Sequence, residues 1–189
     1  MFSELPDIDD AVERVLMDEQ EISKCCDRLA EEIIAYYKPK NKRLIFVGVL
    51  KGAFMFTAEL MKRIHLPVEL YFIKAQSYGA ASRSSGSVSR QSDIDEDTIK
   101  DSNVLLIEDI LDSGHTLNAL VERFERLGAS NVDVCVLLDK PSRREVMVGA
   151  RFVGAEIPDA FVVGFGLDYG EHFRNLPYVG VLKKEIYQN

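Results

Sequence analysis

Three acidic residues and a short polar turn carry the clearest chemical signal, within VLLIEDILDSGHTL at residues 104–117. Glu108 and Asp109 are adjacent at the end of an apolar run, and Asp112 follows shortly after them. Neighbouring side chains of a strand point to opposite sides, so both carboxylates could contact a polyhydroxyl ligand or Mg²⁺. The alternative is that Asp112 only caps a helix and that the acidic pair is simply exposed. The combination of all three acids with one strand–turn–helix pattern favours a functional site.

The polar turn Ser113-Gly114-His115-Thr116 precedes a predicted helix. Backbone N–H groups at the start of a helix lie at the positive end of its dipole and have no partner within the helix. A phosphate binds well at such a place, and the hydroxyls of Ser113 and Thr116 add donors. Gly114 lets the backbone approach an anion closely because it has no side chain. These residues predict a phosphate-binding turn.

An alternating series of strands and helices must position this segment. Apolar runs predict strands over 44–50, 68–77, 104–110 and 132–139, and helical spacing predicts helices over 18–38, 53–64 and 116–127, with short strands in the tail. Strands that alternate with helices form a parallel sheet, so the sequence predicts an α/β fold. Ligands of such sheets bind beyond the carboxyl ends of the strands. The segments to consider are therefore 50–53, 76–92, 108–116 and 139–144.

Two of the predicted helices have a recognisable apolar face. In the first, the residues at helical spacing are Ile22, Cys25, Leu29, Ile33 and Tyr36 or Tyr37. This helix should end before Pro39, because proline cannot continue it. In the second, the residues expected to face the core are Phe54, Ala58, Met61 and Ile64.

The composition excludes several classes of protein. With 189 residues, 47% of them hydrophobic, the chain has the size of one domain with its own core. A net charge of −8 argues against nucleic-acid binding, which needs a concentrated basic face. The three cysteines and three histidines lack the spacing of a zinc site or a disulfide framework. The acidic start and the lack of long apolar runs predict a cytoplasmic protein without a signal peptide or membrane span.

Residues 78–92, YGAASRSSGSVSRQS, are rich in serine and glycine and offer little for a core to bury. They predict either a surface loop without a function or a loop that closes over an active site. Taken alone, the composition favours the surface loop.

The acidic string resembles a known signature. The chain has neither the GxxxxGK[ST] pattern of a Walker loop nor a GxGxxG dinucleotide pattern after a strand. Residues 104–117 instead resemble the phosphoribosyl pyrophosphate signature of the type I phosphoribosyltransferases. VGVLKGAFMF at 47–56 resembles the family's pyrophosphate loop, and QSYG at 76–79 resembles the start of its mobile loop. LLDKPSRR at 137–144 and residues 157–183 resemble the purine-binding half of the hypoxanthine-guanine branch, in its compact bacterial form.

This resemblance implies the type I phosphoribosyltransferase fold, a mostly parallel twisted sheet flanked by helices. Residues 1–189 would form one domain, with a small hood from about 1–20 and 140–187. A mobile loop over about 76–92 would carry Ser77 and Tyr78. The family also implies a homodimer or homotetramer. The implied partners are small molecules, phosphoribosyl pyrophosphate and a 6-oxopurine, with neither nucleic acid nor membrane.

The resemblance assigns roles around the sugar and its phosphate. Glu108 and Asp109 match acids that hold the ribose 2- and 3-hydroxyls and, through them, Mg²⁺, the implied cofactor. Asp112 matches the catalytic aspartate near N7 of the purine, and residues 113–116 match the 5-phosphate loop. Several relatives have lysine where this chain has His115, so a fixed positive charge is absent and the phosphate contact could depend on pH.

The resemblance also assigns residues to the pyrophosphate. Lys51 and Gly52 match the pyrophosphate loop, in which the peptide bond before the lysine can be cis, a rare geometry for a residue other than proline. Arg174 matches an arginine near the pyrophosphate. Asp168 matches an acid that binds Mg²⁺ or its waters, beside the base.

For the purine, the resemblance implies contacts from three residues in addition to Asp168. Lys140 matches the lysine that donates to the 6-oxo group. Phe161 matches the aromatic ring that stacks on the base, and Val162 matches the residue whose backbone contacts the base edge. Without the flanking motifs, Lys140 would be interpreted as a surface lysine and the FVVGF segment as a core strand.

The activity implied is Mg²⁺-dependent transfer of the 5-phosphoribosyl group to N9 of hypoxanthine or guanine, giving IMP or GMP and pyrophosphate. One alternative is the same chemistry with a preference for xanthine. Another is a regulator that senses phosphoribosyl pyrophosphate and binds nucleic acid, which the charge of −8 disfavours. A third is a pyrophosphate-binding scaffold without catalysis.

Overall fold

The computed structural model describes residues 8–74 and 94–188. Residues 75–93, which contain the serine- and glycine-rich segment, lie outside the described residues. The predicted loop residues Ser77 and Tyr78 are among them, so the prediction of a mobile loop stays a prediction.

The predicted strands and helices occur in the expected order. The strands are β1 (Val12–Met17), β2 (Leu44–Leu50), β3 (Glu69–Lys74), β4 (Asn103–Leu111), β5 (Asn131–Asp139), β6 (Phe152–Glu156), β7 (Val162–Val163) and β8 (Val179–Leu182). The helices are α1 (Ile8–Ala11), α2 (Glu19–Tyr37), α3 (Phe54–Met61), α4 (Glu96–Ile99), α5 (His115–Arg126) and α6 (Lys184–Tyr187). Short 3₁₀ turns cover Lys38–Lys40 and Pro141–Arg143. Strand β1 and three short helices, α1, α4 and α6, are additional to the prediction.

Five strands form the main sheet in the order β3-β2-β4-β5-β6, and each neighbouring pair is parallel. The predicted α/β fold with a mostly parallel sheet is confirmed. β4 lies in the middle, with Asn103 paired to Leu44 of β2 and to Asn131 of β5. The carboxyl ends of these strands therefore meet at one edge, where three of the predicted site segments follow.

Helices cover both faces of this sheet, and β4 shows how the strands serve two cores. Leu105 and Ile107 pack in a buried cluster with α2 and α3. Val104 and Leu106 pack in a second cluster with the buried side of α5. Because side chains alternate along a strand, an apolar run such as VLLI is needed to bury both faces.

Helix α2 agrees closely with the prediction. Asp18 caps it by accepting from the Glu21 N–H, and the Glu21 carboxylate accepts from the Asp18 N–H, both at 2.8 Å. Its buried residues include all five predicted positions, with Tyr37 rather than Tyr36 as the last.

Among the described residues, no helix combines the length and the apolar character needed to cross a bilayer.

Helix α3 corrects the predicted face. Its buried residues are Phe56, Thr57 and Leu60, whereas Phe54 and Ala58 are exposed. Ile64, beyond the end of the helix, is buried as predicted. The segment FMFTAELM is apolar around most of its circumference, so periodicity alone does not determine which side faces the sheet.

A second, three-stranded antiparallel sheet has the order β1-β8-β7. Its outer strand β1 pairs with β8, with Val12 opposite Leu182 and Met17 opposite Val179. The sequence analysis did not predict β1, because VERVLM has no alternation of apolar and polar residues and three of its residues are exposed. The strand depends on a partner from the far end of the chain. Segments from both ends that were expected to form a hood thus share one sheet.

Candidate active site

Segments after β2, β4 and β5 come into direct contact. The Lys140 N–H donates to the Leu111 carbonyl at 3.0 Å, which connects the end of β5 to the end of β4. Gly52 lies against Asp109 so closely that a Cβ atom at Gly52 would be 1.7 Å from Asp109 Oδ2. The segment after β7 reaches the same place, because Gly166 packs on the Gly52 carbonyl. Residues that the sequence analysis assigned to one site are therefore brought together.

The predicted phosphate turn lies at the start of α5. Gly114 precedes the helix with φ of +90°, a conformation that glycine adopts without strain. Among the described residues, no side chain caps this helix, so the N–H groups of its first turn are available to an anion. The alternative that Asp112 caps the helix is wrong. His115 and Thr116 are exposed on the first turn.

The segment after Lys140 supports this turn. The N–H groups of Glu145 and Val146 donate to the Ser113 carbonyl at 3.0 and 3.3 Å. The Nε2 atom of His115 lies 2.9 Å from Glu145 Oε2, with both side chains largely exposed. The predicted phosphate turn is thus held by a neighbouring loop as well as by its own helix.

Lys140 and Asp112 are neighbours. The Lys140 side chain is only 8% exposed, and its Nζ lies 3.8 Å from Asp112 Oδ2. On the other side, Arg143 Nε lies 3.5 Å from Asp112 Oδ1. A buried ammonium group beside a carboxylate presents a hydrogen-bond donor and an acceptor close together.

Arg144 is a residue of this region to which the sequence analysis gave no role. Its guanidinium donates to the Asp112 carbonyl at 3.0 Å, to the Val148 carbonyl at 3.0 Å and to the Leu111 carbonyl at 3.3 Å, and it pairs with Asp139. Arginine suits this place because its planar group has five donors in fixed directions. The signal available in the sequence was its position within LLDKPSRR.

Asp109 is buried, Glu108 is half-buried, and their carboxyl groups interact. Burial raises the pKa of Glu108 well above its usual value, and the nearby Asp109 raises it further. Burial also raises the pKa of Asp109, although hydrogen bonds from Glu108 and from the Ile110 N–H oppose that effect. Alternation along a strand predicts opposite sides for these two carboxylates, yet each changes the pKa of the other.

The two acids differ in what they can offer a ligand. Asp109 packs against Gly52 and accepts from the Ile110 N–H at 2.8 Å. The Oε2 atom of Glu108 is buried and has no hydrogen-bond partner in the described part of the chain. A buried polar atom without a partner is costly, so Glu108 is the better candidate to bind a hydroxyl group or a metal ion.

The predicted pyrophosphate residues meet in an ionic network. Lys51 Nζ lies 2.8 Å from Glu171 Oε2, and the peptide bond between Leu50 and Lys51 is cis, as the resemblance allowed. Arg174 lies 2.8 Å from Asp168 Oδ1 and 3.4 Å from the same Glu171 oxygen. The hydrogen bond from Lys51 lowers the pKa of Glu171 below its usual value. Glu171 is a second residue that the sequence analysis did not single out.

Aromatic residues meet beside β7. The Phe161 ring is partly exposed and stacks on Tyr187 of α6, with ring centroids 4.9 Å apart and planes at 26°. Tyr169 meets Phe161 edge-on at 5.7 Å, and its hydroxyl donates to the Ile186 carbonyl at 3.0 Å. Val162, by contrast, is buried in β7. The C-terminal helix therefore packs directly on the predicted purine-stacking ring.

No group of three or more acidic, histidine or cysteine side chains forms a metal cage within residues 8–74 and 94–188. The predicted set of Glu108, Asp109 and Asp168 does not form such a group. Individual carboxylates that Mg²⁺ could use as ligands are nevertheless present. In phosphate sites, Mg²⁺ is commonly held by only one or two carboxylates together with substrate oxygens and water.

Comparison with known proteins gives a consistent result. The sequence model of the family described as "Phosphoribosyl transferase domain" matches residues 15–170. The hypoxanthine-guanine phosphoribosyltransferase of Bacillus subtilis is 46% identical over 178 residues, which covers 94% of this chain and 97% of that protein. The protein of the same name from Streptococcus pneumoniae is 41% identical over 182 residues, which covers 96% of this chain and 99% of that protein.

Solved structures agree with the sequence relatives. A crystal structure of a hypoxanthine phosphoribosyltransferase from Staphylococcus aureus has a TM-score of 0.86 and 37% identity, covering 99% of this chain and 100% of that one. A hypoxanthine phosphoribosyltransferase from Trypanosoma cruzi, studied for the role of its C-terminal region in oligomeric state and activity, has a TM-score of 0.81 and 36% identity and covers 95% of both chains.

Proposed function

Because this chain belongs to the phosphoribosyltransferase family, we propose that it is a purine salvage enzyme that acts on hypoxanthine or guanine. It transfers the 5-phosphoribosyl group of phosphoribosyl pyrophosphate to N9 of the base and releases pyrophosphate. The observation that carries this proposal is the position of an uncapped helix start, residues 113–116, beside the Lys140–Asp112 pair. The names of the sequence relatives support the choice of bases.

The phosphate turn binds the 5-phosphate of the substrate. Its anchor is the first turn of α5, whose N–H groups and dipole favour a dianion. The hydroxyls of Ser113 and Thr116 add donors, and Gly114 allows the close approach. Glu145, which lies 2.9 Å from His115, keeps the imidazole near this anion site.

Glu108 and Asp109 hold the ribose hydroxyls, with Glu108 making the more direct contact because its buried Oε2 atom has no hydrogen-bond partner among the described residues. The same oxygen fits a divalent cation. We propose that Glu108, Asp109 and Asp168 take part in holding Mg²⁺, directly or through water. When bound, Mg²⁺ supplies positive charge that stabilises the departing pyrophosphate.

Lys51, Gly52 and Arg174 bind the pyrophosphate group. Lys51 and Arg174 are close enough to share one carboxylate oxygen of Glu171, so both can reach one anionic ligand. The bond to the anomeric carbon breaks as negative charge develops on pyrophosphate. Cations placed beforehand around this charge lower the barrier without reorganising during the reaction.

The purine binds between the hood and the end of β5. Phe161 stacks on the base, the Val162 backbone contacts its edge, and Lys140 donates to the 6-oxo group. Asp112 accepts the proton from N7 as N9 attacks the sugar. The Lys140 Nζ atom lies 3.8 Å from Asp112 Oδ2. The base is therefore oriented with its 6-oxo group at the donor, Lys140, and its N7 at the acceptor, Asp112.

We also propose that the whole chain acts as one domain, with the β1-β8-β7 sheet as the hood over the purine, and that it associates as a homodimer or homotetramer. The shared sheet of the two chain ends supports the first point. Sedimentation velocity at two protein concentrations tests the second, since a monomer at both would contradict it.

The decisive experiment is a pyrophosphate-release assay with phosphoribosyl pyrophosphate and each of hypoxanthine, guanine and xanthine, with and without Mg²⁺. We expect release that requires Mg²⁺ and proceeds with hypoxanthine or guanine. A preference for xanthine would mean that the enzyme performs the same transfer with xanthine as its base instead of hypoxanthine or guanine. Absence of release with every base, in the presence of Mg²⁺, would contradict it and favour a scaffold without catalysis.

A further inference from the structure

A single carboxylate oxygen bridges the two cations that face the leaving group. Glu171 Oε2 accepts from Lys51 Nζ at 2.8 Å and lies 3.4 Å from the Arg174 guanidinium. These two residues lie far apart in the sequence, one after β2 and the other in the hood. Glu171 is the acidic side chain that connects them.

The turn that carries Glu171 is held in place. Tyr169 and His172 exchange backbone hydrogen bonds of 3.2 and 3.0 Å, and the Glu171 N–H donates to Asp168 Oδ2 at 2.8 Å. Glu171 itself has φ of 72°. Its carboxylate is thus presented at the tip of a tight turn, toward Lys51.

The Lys51–Glu171 ion pair is exposed to solvent, whereas Arg174 is largely buried. The side chains of Lys51 and Glu171 are 59% and 62% exposed, and that of Arg174 is 19% exposed. Arg174 also donates to the Gly166 carbonyl at 2.7 Å, while its buried Nε has no partner among the described residues. The arginine therefore retains an unused donor in addition to the one that reaches Glu171.

We propose that Glu171 serves as an internal substitute for a pyrophosphate oxygen. In the free enzyme it holds Lys51 and reaches Arg174, which Asp168 also holds at 2.8 Å, and it must leave when the pyrophosphate group arrives. The inference rests on the proposed function, because it takes Lys51 and Arg174 as ligands of pyrophosphate. Glu171 then sets how tightly pyrophosphate is held and how readily it is released as a product.

The exchange is energetically reasonable. An exposed ion pair contributes little to stability, so a polyanionic ligand can displace it. Pyrophosphate must break this ion pair and then lies near the displaced carboxylate. It therefore binds more weakly than it would if the Glu171 carboxylate were absent. Removal of the Glu171 charge should therefore tighten binding of pyrophosphate, by about two- to fivefold for a pair of this kind.

The test compares Glu171→Gln with Glu31→Gln, a matched control on the exposed side of α2 that removes the same charge far from the site. Isothermal titration calorimetry measures the Kd of pyrophosphate in the presence of Mg²⁺. The inhibition constant of pyrophosphate and the KM of hypoxanthine are measured in parallel.

We expect a lower Kd and a lower inhibition constant in Glu171→Gln, an unchanged KM for hypoxanthine, and wild-type values in Glu31→Gln. Equal affinity in wild type and Glu171→Gln would overturn the proposal, and weaker binding would show that Glu171 only positions the cations. If the wild type bound pyrophosphate and turned over normally, these two results would leave the proposed function intact. Absence of pyrophosphate binding in the wild type would overturn both.

Discussion

Tyr187 stacks on Phe161, with ring centroids 4.9 Å apart and ring planes at 26°. Tyr187 belongs to α6, near the C-terminal end of the described residues, and Phe161 lies immediately before β7. The hydrogen bond from Tyr169 to the Ile186 carbonyl holds that helix against the segment after β7. The orientation of the predicted purine-stacking ring is thus determined partly by the C-terminal residues.

From this stack we predict that Tyr187→Ala raises the KM of the purine by about two- to tenfold, because an aromatic pair contributes roughly 0.5–1.5 kcal/mol. The KM of phosphoribosyl pyrophosphate should stay the same, and Tyr187→Phe should restore the purine KM. Steady-state kinetics with each substrate varied in turn gives both values. A lower purine KM in Tyr187→Ala would instead mean that Tyr187 competes with the base.

Asp112→Asn should reduce turnover by about 10²–10⁴-fold, which is the usual contribution of a positioned acid–base group. The isosteric amide keeps the shape of the turn but cannot accept the N7 proton as a carboxylate does. Binding of phosphoribosyl pyrophosphate, measured directly, should remain close to wild type. Near-normal turnover with chemistry shown to be rate-limiting would remove Asp112 from this role.

Arg144→Lys should lower kcat by roughly tenfold, because lysine keeps the charge but cannot donate to several carbonyl groups at once. Arg144 donates to the carbonyls of Leu111, Asp112 and Val148. The melting temperature should also fall, whereas Arg126→Lys, at the exposed end of α5, serves as a control without either effect. A changed melting temperature with an unchanged kcat would limit Arg144 to a structural role and exclude a positioning one.

Gly52→Ala should destabilise the protein by about 1–3 kcal/mol, the usual cost of adding atoms to a filled space. The added Cβ would lie 1.7 Å from Asp109 Oδ2, so the loop or the carboxylate must move. Gly149→Ala is the matched control, because apart from its chain neighbours no heavy atom of the described residues lies within 4 Å of its Cβ position. Thermal unfolding of both variants checks this, and equal melting temperatures would contradict the observed contact.

Because the thiols of this protein are buried, we predict that it loses stability at high pH. Burial raises the pKa of Cys26 to about 12 and also raises those of Cys25 and Cys135. Thiols of the unfolded chain titrate near about 8.5. Between these two values the unfolded chain releases protons that the folded chain keeps, so the free energy of unfolding falls as pH rises, by up to about 1.4 kcal/mol per pH unit for each thiol.

Urea unfolding of the wild type and of Cys26→Ala between pH 8 and pH 10.5 measures this slope, which should be smaller in the variant. A thiol reagent at pH 8 should label the folded protein slowly and the unfolded protein rapidly, since the three cysteines are buried. Rapid labelling of the folded protein, or equal slopes for the two proteins, would contradict the prediction.

Local patterns in the sequence were sufficient for much of the fold. Strand β2 and helix α2 have the predicted bounds almost to the residue, because a continuous apolar run and a capped helical repeat are properties of neighbouring residues. The turn at residues 113–116 and the start of α5 also follow from neighbouring residues, whereas the binding of a phosphate there stays a prediction. The family resemblance supplied the roles of the more distant residues.

The tertiary structure decided what depends on contacts between distant segments. Strand β1 exists because β8 pairs with it, and α3 turns Phe56 and Leu60 to the core although its sequence allowed another face. Glu171, Arg144 and Tyr187 gained their importance only when the fold placed them beside Lys51, Asp112 and Phe161. The pattern of neighbouring residues determines where most strands and helices form. Only packing determines which side chains meet, because those contacts join residues that are far apart in the sequence.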